Sequence, residues 1–127
     1  MTKAIIFDLG GVVLNPEGFT PGLLAQLFNI SEDQVFTIYN QDLEDKWVMG
    51  NISADEIIEK FKTKFPNSES TESLVNKWQQ VYLDQTKVDS EILNLIDSLR
   101  KNYPVYLLTN TTKIHSGLNR KRNIYNH

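Results

Sequence analysis

Two short apolar runs, each closing on polar residues and lying far apart in the sequence, constrain this chain most. Ala4-Ile5-Ile6-Phe7 ends in Asp8 and runs straight into Gly10 and Gly11, while Val105-Tyr106-Leu107-Leu108 ends in Thr109-Asn110-Thr111-Thr112. Unbroken apolar runs of this length suit strands covered on both faces, as in a parallel sheet flanked by helices. Two parallel strands need a long crossover, and the residues between them supply one.

That intervening stretch has helical spacing. Thr20 and Pro21 suit a cap and a first-turn proline ahead of Leu23, Leu24, Leu27 and Phe28. Ser31 with Gln34, and Ser53 with Glu56, fit the capping-box spacing, the second opening a stripe of Ile57, Ile58, Phe61 and Phe65 that Pro66 ends. Leu74, Val75, Trp78, Val81 and Tyr82 repeat at three and four residues, so residues 20–84 read as a helical bundle. Asp89 or Ser90 then caps a helix carrying Ile92, Leu95, Ile96 and Leu99, which Pro104 stops. The predicted fold class is α/β: a Rossmann-like parallel sheet core with two evident strands and an inserted helical bundle. Ser116 to Asn123 shows no apolar periodicity, so no third strand is expected. Two parallel strands alone make a marginal sheet, and the core reads as incomplete.

Composition narrows the chemistry. The 127 residues contain no cysteine, which excludes disulfide scaffolds, thiolate metal sites and cysteine nucleophiles. No apolar run approaches the roughly 20 residues of a membrane span, and the start lacks the pattern of a secretory signal, so a soluble, cytoplasmic protein without membrane association is expected. The net charge is −3, but Lys113, Arg120, Lys121 and Arg122 all fall in the last fifteen residues with no acid among them. The remainder is strongly acidic, which argues against a nucleic-acid partner, and the basic end reads as a solvated tail.

Ligands of open parallel sheets bind beyond the carboxyl ends of the strands. A right-handed crossover makes the strands parallel, so Asp8 and Thr109-Asn110 are expected to open into one crevice. A carboxylate followed by two glycines stands beside exposed backbone N–H groups suited to a phosphate, and it can attack or hold a metal. Alone, Asp8-Leu9-Gly10-Gly11 is also an ordinary turn and Thr109-Asn110 an ordinary helix cap. Their joint appearance around a helical insert favours a site. Trp47 and Trp78 read as packing residues. His115, with only His127 as a companion, reads as a surface histidine.

With these residues in view, the chain resembles the haloacid dehalogenase-like (HAD) hydrolase superfamily, helical-cap subclass. Ala4 to Val12 resembles its first motif, a hydrophobic strand ending in D-x-D-x-T/V. Leu107-Leu108-Thr109-Asn110 resembles its second, a strand ending in S/T-N. Trp47 to Ser53 resembles a turn common in its caps. The resemblance implies a core of residues 1–14 and 88–127 with a helical cap of residues 15–87. It implies that Asp8 is the nucleophile forming an aspartyl-phosphate and also a Mg2+ ligand, with Gly10 lending its carbonyl to the metal. Gly11, Thr109 and Asn110 would hold the phosphoryl group of a small phosphorylated metabolite, making the chain a phosphate-monoester phosphatase.

Departures from the pattern shape the expectation. Gly10 replaces the usual second aspartate, so side-chain proton transfer is missing there and roughly 10²- to 10⁴-fold of rate with it for poor leaving groups. The last acid is Asp97, so the later acidic pair of the metal site has no counterpart. Only Lys121, in a segment running on to Ile124 and Tyr125, faintly resembles the family lysine. The expectation is therefore a C-terminally truncated member with impaired activity. Two other readings share the residues: a non-catalytic remnant that binds or self-associates through unpaired strand edges, and a dehalogenase-type hydrolase using Asp8.

Overall fold

A computed structural model describes residues 1–16, 18–122 and 124. Along the chain come β1 (Ile5–Asp8), α1 (Thr20–Phe28), α2 (Glu32–Phe36), α3 (Gln41–Val48), α4 (Ala54–Lys64), α5 (Thr71–Gln85), α6 (Ser90–Leu99), β2 (Val105–Leu108) and α7 (Lys113–Lys121). The strands pair in parallel, with Ile5 opposite Val105 and Asp8 opposite Leu108. The architecture is α/β, with a two-stranded parallel sheet and an inserted helical bundle. Among the described residues, no helix is long and apolar enough to cross a membrane.

Local chemistry sets most helix starts. Ser31 and Ser53 form complete capping boxes with Gln34 and Glu56, and the backbone N–H of Ser53 holds the Glu56 carboxyl below its usual range. Asn40, Ser70 and Asp89 cap α3, α5 and α6 through their side chains. At α1 the expectation fails in detail: Thr20 lies inside the helix, and the cap position is Phe19, which offers no side-chain acceptor. The segment at Trp47 is the end of α3, and the turn begins only at Met49 and Gly50, where Gly50 takes φ +76°.

Two apolar clusters result. The larger encloses Leu24, Val35, Ile57, Phe61, Leu74 and Trp78 between the bundle helices and also takes in Leu118 of α7. The smaller joins Leu9, Val13 and Leu14 of the loop after β1 to Ile96 of α6 and Ile124. The chain segments entering and leaving the bundle run side by side, Asn15 N–H donating to the Lys87 carbonyl and Asp89 N–H to the Val13 carbonyl, each at 2.8 Å.

Two expectations are corrected. The strands are covered on one face only: Phe7, Val105 and Leu107 pack on the smaller cluster, while Ile6, Tyr106 and Leu108 face outward. Among the described residues a helix layer stands against one side alone, so the apolar run does not report burial on both. The basic end, read as a solvated tail, begins as the helix α7, capped by Thr112 and fixed by Arg122, whose Nη1 donates to the Thr86 carbonyl at 3.0 Å. Tyr125 and His127, which entered the sequence argument, lie outside the described residues.

Candidate active site at the strand ends

Because Asp8 pairs in register with Leu108, the segments following both strands leave the sheet at the same end. On the β1 side, Leu9 is buried in the smaller cluster and anchors the turn, while Asp8 is exposed. Asp8 Oδ1 accepts the Leu9 N–H at 2.8 Å, which orients the carboxylate. The turn then folds inward. Leu9 carbonyl accepts from Val13 and Leu14 at 3.0 and 2.9 Å, and Gly11, at φ +75°, donates its N–H to the Leu14 carbonyl at 2.7 Å. The backbone N–H of Gly11 is therefore committed within the turn, contrary to the expectation of a free row of donors after Asp8.

On the β2 side, Thr109 to Thr112 lead into α7, whose cap is Thr112, accepting from His115 N–H at 3.5 Å, rather than Thr109 or Asn110. Gly10, Thr109 and Asn110 share the lining of a cavity of about 190 Å³, which the bundle closes with Tyr39, Glu44 and Trp47. Asp8 and Gly11 flank it and are not part of its lining. Gly18 also borders it, and only a glycine fits there, since a Cβ would come within 2.3 Å of the Tyr82 ring.

The cavity floor is held by a feature that sequence reasoning placed on the surface. His115 is buried, stacked 3.9 Å from the Tyr82 ring and receiving the Trp78 indole N–H on Nε2 at 3.1 Å. Accepting at Nε2 assigns the ring proton to Nδ1. Burial, with a smaller contribution from the Arg122 charge, lowers its pKa to about 4, so the ring is neutral near neutral pH. Asn119 Nδ2 donates to the Tyr82 hydroxyl at 3.0 Å, and the Arg122 guanidinium lies 5.4 Å from the same ring. A readable signal existed: Trp78 and Tyr82 on one helix, and His115 and Asn119 on another, each share the spacing of one helix face.

Two further residues of the cavity wall show the effect of enclosure. Burial, then the nearby Glu44 charge, pushes the Tyr39 phenol up to about 12, against a Thr20 hydrogen bond that lowers it. The Trp47 indole N–H is buried with no acceptor among the described residues. Lys121, the faint counterpart of a family lysine, lines a different cavity of about 570 Å³ with Lys113, Gly117 and the start of α4, away from Gly10, Thr109 and Asn110. Among the described residues, no group of three or more His, Asp or Glu is placed to hold a metal ion.

No protein-family model and no curated protein matches the chain. Solved structures do. A HAD-family enzyme from Bacteroides thetaiotaomicron superposes with a TM-score of 0.69 at 24% identity, over 94% of this chain and 58% of that one. The fold is that of a HAD-family enzyme. The same enzyme with magnesium and inorganic phosphate gives a TM-score of 0.66 at 24% identity, again over 94% of this chain and 58% of that one. An aspartate-to-alanine variant of it, also with magnesium and phosphate, gives 0.68 at 22% identity and the same coverage. The chain thus spans a little over half the length of the HAD structures it matches.

Proposed function

We propose that the chain is a phosphate-monoester hydrolase with Asp8 as nucleophile, in which residues 15–87 act as a helical cap over a core of residues 1–14 and 88–127. The carrying observation is the parallel register of Asp8 and Leu108, which sets an exposed carboxylate at the same sheet end as Thr109 and Asn110. An Asp8 oxygen would attack phosphorus, forming an aspartyl-phosphate as the ester P–O bond breaks. Water would then release phosphate and restore the carboxylate. Thr109 and Asn110 supply a hydroxyl and an amide to the phosphoryl oxygens. His115 is not the proton donor, because its Nε2 is occupied by Trp78 and its ring is neutral. With glycine at position 10, the leaving oxygen takes its proton from water.

The donor set suits Mg2+, which favours hard oxygens and is commonly held by one or two carboxylates, with water and substrate phosphate completing the octahedron. Asp8 and the Gly10 carbonyl would hold it, and the bound ion would neutralise charge on the phosphoryl group. The related enzyme with magnesium and phosphate supports this choice. The test is phosphate release from a panel of small phosphate esters with magnesium. Asp8→Asn is expected to lose at least roughly 10³-fold, in line with removal of a nucleophile elsewhere. Equal rates in the two proteins would remove Asp8 from the chemistry.

A second reading has its own observation. Ile6, Tyr106 and Leu108 form an outward apolar patch on a sheet whose outer edges have no strand partner among the described residues, which favours self-association. Size-exclusion chromatography decides it, a concentration-independent monomer counting against association.

A further inference from the structure

The wall of the cavity between the strand ends and the bundle carries a single formal charge among the described residues, with the Arg122 guanidinium outside the lining and 5.4 Å from the Tyr82 ring. Among its described lining residues, Glu44 is the single Asp, Glu, Lys or Arg, and Asp8 stands beside the cavity with a second carboxylate. Glu44 lies on the exposed side of α3 and makes no ion pair among the described residues. Its charge is felt inside the cavity, since it contributes to holding the Tyr39 phenol protonated. A phosphate bound at Thr109 and Asn110 would therefore extend its organic part toward a carboxylate that makes no ion pair among the described residues.

Resting on the phosphoryl-transfer reading above, we propose that Glu44 sets substrate choice, rejecting esters that carry a second negative charge and selecting a small, neutral, hydroxylated leaving group. The size follows from the volume: about 190 Å³ falls below the roughly 300–1,000 Å³ of pockets for drug-sized ligands. The hydroxyl follows from the mixture of partners. A hydroxyl both donates and accepts, so it can give its proton to Glu44 while accepting from the Tyr39 phenol. A carboxylate at the same place has no proton for Glu44 and meets like charge instead. For unit charges about 6 Å apart, that repulsion is worth about three-fold in affinity in bulk water and about a hundred-fold at a protein-like dielectric. Roughly ten-fold is expected at a partly exposed site.

Glycerol 3-phosphate and 3-phosphoglycerate test this directly, since they share a three-carbon skeleton and a phosphate and differ by one carboxylate. Affinities are measured by titration calorimetry with magnesium, which reads binding whether or not turnover follows, and phosphate release is measured in parallel. The native chain should prefer glycerol 3-phosphate by roughly ten-fold, Glu44→Gln should bring the ratio close to one, and Glu44→Lys should invert it. Glutamine and lysine match glutamate in helix propensity, so α3 is preserved in both variants. An unchanged ratio in Glu44→Gln, or a native preference for 3-phosphoglycerate, overturns the proposal while leaving Asp8 chemistry standing. Binding of neither ester overturns both readings. A Glu44-dependent preference accompanied by Asp8-independent phosphate release sustains the selectivity and removes the nucleophile.

Discussion

The helical bundle and the sheet treat similar apolar residues in opposite ways. Leu24, Val35, Ile57, Ile58, Phe61 and Leu74 are fully enclosed by the bundle helices, whereas Ile6, Tyr106 and Leu108 keep 63%, 59% and 70% of their surface exposed on the sheet. A two-stranded sheet has little stability of its own. The bundle therefore carries the stability of the chain, and the strand ends, where the candidate chemistry lies, are held by what reaches across from it. α7 is that connection: it starts just after β2, yet Leu118 sits in the bundle core and His115, Asn119 and Arg122 engage α5 and the segment after it.

The contrast can be broken most decisively at Trp78. Replacing it with alanine removes a wholly buried ring and the donor to His115, with an expected cost of about 3–5 kcal/mol in urea denaturation. A cost no larger than that of an outward sheet residue would refute the division of labour.

Next in size is the response to acid. The unfolded histidine takes up a proton near pH 6.5, but folded His115 resists until about pH 4. In that window the unfolded state binds more protons, so stability is fully present above pH 6.5 and falls as the pH drops toward 4, by about 3 kcal/mol in all. Denaturation midpoints across this range should show the loss, and His115→Phe should remove that component of the slope. An unaltered slope in the variant would mean that His115 is not the buried group responsible.

Gly18→Ala comes third, since the added methyl would overlap the Tyr82 ring. About 1–3 kcal/mol of destabilisation is expected by calorimetry, relieved when Tyr82→Leu is added. Smallest is Tyr106→Ser on the open sheet face. It should change stability by no more than about 0.5 kcal/mol while reducing any self-association seen by light scattering. A large loss there would show that the face is covered.

Much of this architecture was legible from short-range patterns. The Ser31 and Ser53 capping boxes and the breaks at Pro66 and Pro104 involve partners within about four residues, so spacing alone exposed them, and it narrowed the α6 cap to Asp89 or Ser90, of which Asp89 is the one used. The two apolar runs with a crossover between them implied a parallel pair, and Gly10, Thr109 and Asn110 do border one cavity. Tyr39, Glu44 and Trp47 went unread as cavity residues because nothing in the order of α3 says which turn faces the strand ends. α7 was missed because its buried face sets a single leucine, Leu118, between His115 and Asn119, so no run of apolar residues at helical spacing marks it.

The sequence alone therefore determined both strands and the helices from α1 to α6, though not α7, because caps, helix breakers and apolar stripes act between near neighbours. Only the tertiary structure decided which strand face is covered, that His115 is buried and neutral, and that Glu44 is the charged residue among those described at the cavity lining. Those properties arise from groups dozens of residues apart, whose desolvation and pairing exist only once the bundle, α7 and the sheet have packed together.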